Sequence, residues 1–201
     1  MRKHLTTPAI IAAASFLAFS SMPSENEEEQ RVVSLQVTEN QVKLEEAKTL
    51  SNHVLVTLIE PVDGDTIKVR INGKIETVRY LLVDTPESKS PKTCVQFYAE
   101  EAFRRNSELV NSGRLTLEFE QGNLRDSYGR LLAYVFVDGE SVQGSLLKEG
   151  YARMAYIIQP PYKYLEQFKE DERVAKRGKI NIWSRGDFVT NWGFSGCLDS
   201  F

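Results

Sequence analysis

Three short stretches of this 201-residue chain place charged side chains where the surrounding pattern favours apolar ones. The first is Asp63-Gly64-Asp65-Thr66, two acids around a glycine just before an apolar-alternating run. Alone it reads as a turn, because Asp and Gly are ordinary turn residues. The second is Arg79-Tyr80-Leu81-Leu82-Val83-Asp84-Thr85-Pro86-Glu87, in which an arginine opens an apolar run and two acids close it. Pro86 fixes the backbone there, so Glu87 sits on a rigid turn beside Asp84. A carboxylate at the end of a buried strand needs a cation or hydrogen-bond donors, since a desolvated charge is costly. The third stretch, Asp126-Ser127-Tyr128-Gly129-Arg130, brings a second arginine to the start of another apolar run. Carboxylate oxygens suit a hard divalent cation. Guanidinium forks suit phosphate oxygens and can neutralise charge that develops on them. A carboxylate near the ion can orient or deprotonate water. Cutting a phosphodiester calls for this combination.

The elements that must position these groups are short strands with inserted helices. Val54, Val56, Thr57 and Ile59 lead into Pro61, and Ile67, Val69 and Ile71 alternate with polar residues up to Asn72-Gly73. Ile75, Thr77 and Val78 resume beyond it, a strong hairpin signal. Leu81-Leu82-Val83 reads as a buried strand end, and Leu115 to Phe119 and Leu132 to Val137 as further strands, the last reaching an Asp138-Gly139 turn. Helix-compatible spacing predicts helices over 95–110, 142–149 and 162–177, with Gly113, Gly150 and Gly178 placed to end them. The pattern predicts an α+β fold, mainly β: a five-stranded barrel of the oligonucleotide/oligosaccharide-binding (OB) type with about three packed helices. No internal repeat is present.

Outside residues 53–184 the character changes. Arg2, Lys3 and His4 precede an apolar run from Ile10 to Phe19 that is short for a membrane span, and Ala18, Ser20 and Ser21 follow in a manner suited to signal-peptidase cleavage. Residues 1–22 therefore read as an export signal, or alternatively an uncleaved N-terminal anchor, which makes the expected location extracellular or at the cell surface. Residues 23–52 are a polar, acid-rich linker, with a weakly amphipathic helix over 39–50 as the other reading. Residues 185–201 form a tail rich in Gly and aromatics. Cys94 and Cys197 could pair outside the cell or stay as free thiols. With 41% hydrophobic and 26% charged residues and a net charge of −3, composition carries no global signature of a nucleic-acid binder.

From about Val54 to Ser184 the chain resembles the staphylococcal nuclease (thermonuclease) family. Asp63-Gly64-Asp65-Thr66, Arg79 through Glu87, Asp126 with Tyr128-Gly129-Arg130, Leu132-Ala133-Tyr134 and Asn181-Ile182-Trp183 recur in the family's order and spacing. The resemblance implies a calcium-dependent endonuclease acting on DNA and RNA, single-stranded or frayed, and leaving 3′-phosphate ends. It assigns Asp65, Asp84 and the main-chain carbonyl of Thr85 to the metal, and Glu87 to the attacking water as base or orienting group. Arg79 and Arg130 clamp the scissile phosphate, and Tyr128 and Tyr156 contact the bound nucleotide. No obligate protein partner is implied and a monomer is expected.

The chain also departs from the family pattern. Ile158 stands where a second tyrosine of the nucleotide pocket is usual, Ser127 and Thr93 replace lysines, and from His53 onward 20 Lys and Arg face 21 Asp and Glu. Fewer cations to neutralise phosphates predict weaker substrate binding with a shallower salt dependence. The rival readings are a non-catalytic OB-fold module binding nucleic acid or protein, and an adhesive surface domain using the tail. Trp183 and Trp192 read as core or sub-core residues, as large aromatics usually are.

Overall fold

The computed structural model describes residues 30–36, 41, 53–88, 94–122, 124–158 and 161–198. The export segment, most of the linker with its alternative helix apart from residue 41, and Thr93 lie outside the described residues. Contacts divide the chain into two units, Met1–Ala47 and Lys48–Phe201. In the first, residues 30–36 form an exposed helical segment, α1.

The second unit is built on a sheet whose strand order is β1-β6-β7-β4-β3-β2. Its strands are β1 (Val54–Leu55), β2 (Thr57–Asp63), β3 (Thr66–Ile71), β4 (Lys74–Tyr80), β6 (Leu115–Glu118) and β7 (Leu131–Val137). The two ends of that order, β1 and β2, are separated in sequence by Val56 alone, whose N–H still donates to Leu115 O at 3.1 Å. One bent segment thus pairs with β6 on one side and β3 on the other, which requires the sheet to curl round on itself. Taken as one strand, it leaves five segments in a barrel, closed by parallel pairing of β4 with β7. The expected mainly-β, α+β architecture is therefore present.

Local sequence explains most of these elements. Asn72 (φ 48°) and Gly73 (φ 78°) adopt the left-handed conformation of a two-residue hairpin turn, and Asp138 (φ 49°) and Gly139 (φ 91°) repeat it before β8 (Glu140–Ser141). The inward face of the strands supplies Ile67, Val69, Val78, Leu117 and Val135, all fully buried. Helix α2 (Ala99–Val110) turns a stripe of Ala99, Ala102, Asn106 and Val110 inward. The hydroxyl of Ser141 caps α3 (Val142–Lys148) by accepting from Gly144 N–H. Helix α4 (Leu165–Gly178) is ended by Lys179 in the left-handed conformation, one residue beyond the glycine that the sequence singles out.

Three boundaries differ from the sequence reading, each because side chains are engaged elsewhere. Helix α2 begins at Ala99 because Cys94 and Gln96 are tied to Cys197, by a disulfide and a β-bridge respectively. Helix α4 begins at Leu165 because Lys163 N–H donates to Glu120 (2.6 Å) and Tyr164 OH to the buried Glu118 (2.6 Å). Leu81-Leu82 is a turn rather than a strand end, with Leu82 at φ 66°, and β5 (Val83–Asp84) then pairs with β9 (Arg153–Met154).

The tail folds onto the barrel unit. Its hairpin, β10 (Val189–Thr190) and β11 (Gly193–Phe194), follows the buried Phe188, which packs edge-on against Phe97 and Tyr98. Of the two open readings for the cysteines, the structure takes the paired one, Cys94–Cys197. Trp192 corrects the sub-core expectation: at the hairpin turn it is 95% exposed, since no barrel surface lies over a hairpin tip. Trp183 is half-buried, in a 3-10 turn over Asn181–Trp183, with Lys176 above its ring.

Asn106 joins helix and barrel. Fully buried, it donates to Asp63 O (2.7 Å) and accepts from Tyr80 OH (2.7 Å). Asn106→Leu keeps the volume but leaves both partners desolvated and unpaired, so urea unfolding should give a loss of about 1–3 kcal/mol or more. A loss within error of zero would mean that these bonds do not hold the helix.

Candidate active site

The first two charged stretches meet at one end of the barrel, and Arg130 of the third lies near enough to act on Glu87. Asp65 lies in the turn between β2 and β3. It receives Thr66 OH on Oδ1 (3.1 Å) and Thr85 N–H on Oδ2 (3.1 Å), while Asp63 Oδ1 receives its own N–H (3.1 Å). The intervening Gly64 is required by close approach, since a Cβ there would fall 2.5 Å from Thr85 Oγ1 and 3.0 Å from Ala102 Cβ. Packing against Thr85 therefore brings the first stretch against the second.

Arg79, at the end of β4 and only 8% exposed, is the hub. Its Nη2 lies 2.9 Å from Asp65 Oδ2 and 3.4 Å from Asp84 Oδ1, and Nη1 donates to Tyr80 O (3.1 Å) and Val83 O (2.9 Å). Asp84 Oδ1 also receives Tyr156 OH (3.3 Å), and Oδ2 receives Arg153 Nε (3.0 Å). The Tyr156 ring lies under the Arg79 guanidinium, 5.4 Å from its centroid.

Glu87 is exposed, with its backbone fixed on both sides by Gln96, whose side-chain oxygen accepts Glu87 N–H (2.8 Å) and whose N–H donates to Glu87 O (3.0 Å). Arg130 approaches from the third stretch. Its Nε and N–H grip the two oxygens of Asp126 (2.7 and 2.9 Å), and its guanidinium lies over the exposed Tyr128 ring. Arg125 anchors this loop to β4 through a two-point contact with Glu76 and a bond to Gly129 O (2.6 Å).

Direct contacts thus unite Asp65, Arg79, Asp84, Thr85 and Tyr156. Glu87 joins them through the field of its neighbours, and Arg130 acts on Glu87 in the same way. Tyr128 stands at the rim.

Electrostatics mark a surplus of negative charge. Burial and the charge of Asp65 push Asp63 up to about 7. Burial and Asp65 also raise Asp84 against the pull of Arg79 and Arg153, and burial with Asp65 and Asp84 raises Glu87 against Arg79 and Arg130. Burial alone would lower Arg79, but Asp65 and Asp84 outweigh it and hold the guanidinium above its ordinary value. The outlying Asp126 behaves oppositely: burial pushes it up, and Arg130 overrides that to bring it below the usual range.

Among the described residues no three acidic, His or Cys side chains are grouped as a metal cage, and here Arg79 engages oxygens of both Asp65 and Asp84. The donor chemistry nevertheless fits a hard divalent cation, because Asp84 and Glu87 stay raised despite the nearby guanidiniums, which marks negative charge that these do not fully compensate.

Several contributors escaped the sequence reading. Arg153 and Gln96 carry no local motif, and both face the site only through tertiary pairing. Asn106 did leave a signal, an amide on the apolar stripe of a helix. Asp63 was legible only as part of a turn.

An OB-type barrel with a buried carboxylate–guanidinium centre at one strand end is the class defined by fold and site. The staphylococcal nuclease homologue family matches residues 77–185. Endonuclease YncB of Bacillus subtilis (strain 168) is 58% identical over 161 residues, covering 80% of this chain and 76% of that protein. The SPbeta prophage-derived endonuclease YokF of the same organism is 62% identical over 143 residues, 71% of this chain but 48% of its own length. Thermonuclease of Staphylococcus hyicus is 34% identical over 183 residues, 90% and 99% of the two chains. The chain belongs to the staphylococcal nuclease family, and so to the nucleases, enzymes that hydrolyse phosphodiester bonds.

A pH test follows from Asp63. Its folded pKa exceeds the unfolded value, so the folded state binds the extra proton, and stability declines as pH rises from about 4 to about 7. In chelator, Asp63→Asn should flatten that decline in denaturant titrations. An unchanged slope would show that Asp63 is not the group responsible.

Proposed function

We propose that this protein is an exported, calcium-dependent endonuclease that cleaves DNA and RNA and leaves 3′-phosphate ends. The observation that carries the reading is the convergence of Asp65, Arg79, Asp84 and Glu87, with Arg130 on the facing loop, in a chain of this family. Asp65, Asp84 and the Thr85 carbonyl are the groups to hold calcium, which when bound supplies a positive charge to offset that of the phosphate and the acids. Glu87 orients the attacking water and accepts its proton. The P–O5′ bond then breaks, giving a 3′-phosphate and a 5′-hydroxyl. Arg79 and Arg130 hold the phosphate oxygens, and charge gathering there in the transition state strengthens both contacts. For Arg130 this means exchanging Asp126 for phosphate. Tyr156, whose ring lies beside Arg79, and the exposed Tyr128, beside Arg130, pack on sugar or base in this reading.

The apolar run and small residues of segment 1–22 support export, as does the disulfide, which persists in oxidising surroundings. A purely binding module would have no use for a buried cluster of mutually repelling carboxylates, because their repulsion costs stability without helping to bind a polyanion.

Purified protein should degrade single-stranded DNA with calcium and leave it intact with chelator, and the 3′ ends of the products should be extendable with labelled nucleotide only after 3′-phosphatase treatment. Equal degradation in both tubes would refute calcium dependence; intact DNA in both would favour the binding module. Glu87→Gln and Arg130→Ala should each keep the thermal transition and lower kcat by roughly 100-fold or more. Near-native turnover in either would remove that residue from the chemistry.

A further inference from the structure

The C-terminal hairpin reaches the acids of the site along two separate routes. Gln96 Nε2 donates to Phe194 O (3.0 Å) while the same side chain accepts Glu87 N–H, so one amide links β11 to the Glu87 backbone. Arg153, paired with Asp84, also donates to Thr190 O (3.4 Å) and lies over the Phe194 ring at 5.6 Å. The Cys94–Cys197 disulfide, the Gln96–Cys197 bridge and Leu198 N–H on Val95 O (2.8 Å) then fasten residues 197–198 beside Gln96. Among the described residues the hydrogen bonds of the Glu87 backbone run to Gln96, and Gln96 in turn is held by the tail.

We propose that the hairpin is a positioning element of the active site, made effective by the Cys94–Cys197 disulfide, with Gln96 setting Glu87 and Arg153 setting Asp84. The inference rests on the nuclease reading above. Gln96 is a positioning residue, since its contacts are to Glu87 and the hairpin rather than to a reacting atom. Forming the bond removes two electrons and two protons from the thiols, which a small-molecule disulfide accepts by splitting into two thiols or an oxidoreductase by reducing its own disulfide to a dithiol. A reducing compartment would therefore hold the enzyme in its poorly positioned form, and full activity would appear after export.

The test uses the full chain with calcium and a fluorophore-labelled single-stranded oligodeoxynucleotide. Dithiothreitol, which is oxidised to its cyclic disulfide as the two thiols form, should lower kcat about 10- to 100-fold, leave KM within about twofold and preserve the circular dichroism spectrum. Reoxidation should restore kcat. The double variant Cys94→Ser/Cys197→Ser should resemble the reduced enzyme and ignore dithiothreitol. Gln96→Ala should show a comparable loss to which reduction adds little, because both act on one path. Unchanged kcat on reduction, a rise in KM alone, or unfolding of the reduced protein would each overturn the proposal. An oxidised protein inactive from the outset would instead sink the nuclease reading beneath it.

Discussion

The structure turns on a buried guanidinium. Arg79 sits out of water with its donors divided between two carboxylates and two carbonyls, and these four partners come from three parts of the chain: the 63–66 turn, the end of β4, and β5. Removing a charge from water costs several kcal/mol unless it is fully paired, and losing one partner of such a set is far worse than never building it. Asp65 and Asp84 are therefore architectural as well as chemical. Without them Arg79 is stranded, and without Arg79 two acids face each other in a low-dielectric pocket.

Around this hub, polar contacts set what apolar packing alone would leave loose. The barrel core supplies rigidity, but Ile67 or Val135 cannot specify where a carboxylate points. That direction comes from Thr85 N–H on Asp65, from the Asp63 oxygen on the Asp65 backbone, and from Asn106, which ties the Asp63 carbonyl to helix α2. Gly64 does its work by being absent as a side chain, letting Thr85 close on the turn. A site on strand ends thus inherits its precision from a second layer of amides and hydroxyls.

Local rules made the frame readable from sequence. Asn72-Gly73 and Asp138-Gly139 announce hairpins because few residues tolerate positive φ, and alternating β-branched residues announce the strands between them. The acids and arginines were legible because charge at the end of an apolar run demands a partner. Which partner it finds is a tertiary fact. Nothing near Arg153 in sequence points to Asp84, 69 residues away, and nothing near Gln96 points to Phe194, 98 away. Trp192 defeats the same logic from the other side, since hydrophobic composition argues for burial and a hairpin tip offers none.

Two departures from regular backbone lie on the same rim as the charges. Leu82 (φ 66°) and Tyr156 (φ 57°) flank the β5–β9 pair that carries Asp84 and Arg153, and neither is a residue that adopts positive φ readily. Such conformations cost on the order of 1–3 kcal/mol each and persist only where surroundings over-determine them. Leu82 is held by a fully buried side chain and by Ala155 N–H on its carbonyl, and Tyr156 by its hydroxyl on Asp84. The left-handed turn at Leu82 breaks β4 from β5, so Asp84 turns back toward Arg79 instead of continuing the strand. At Leu82 and Tyr156 backbone strain thus meets carboxylate repulsion in one small region, and the well-packed barrel beneath it supplies the stability that lets both persist.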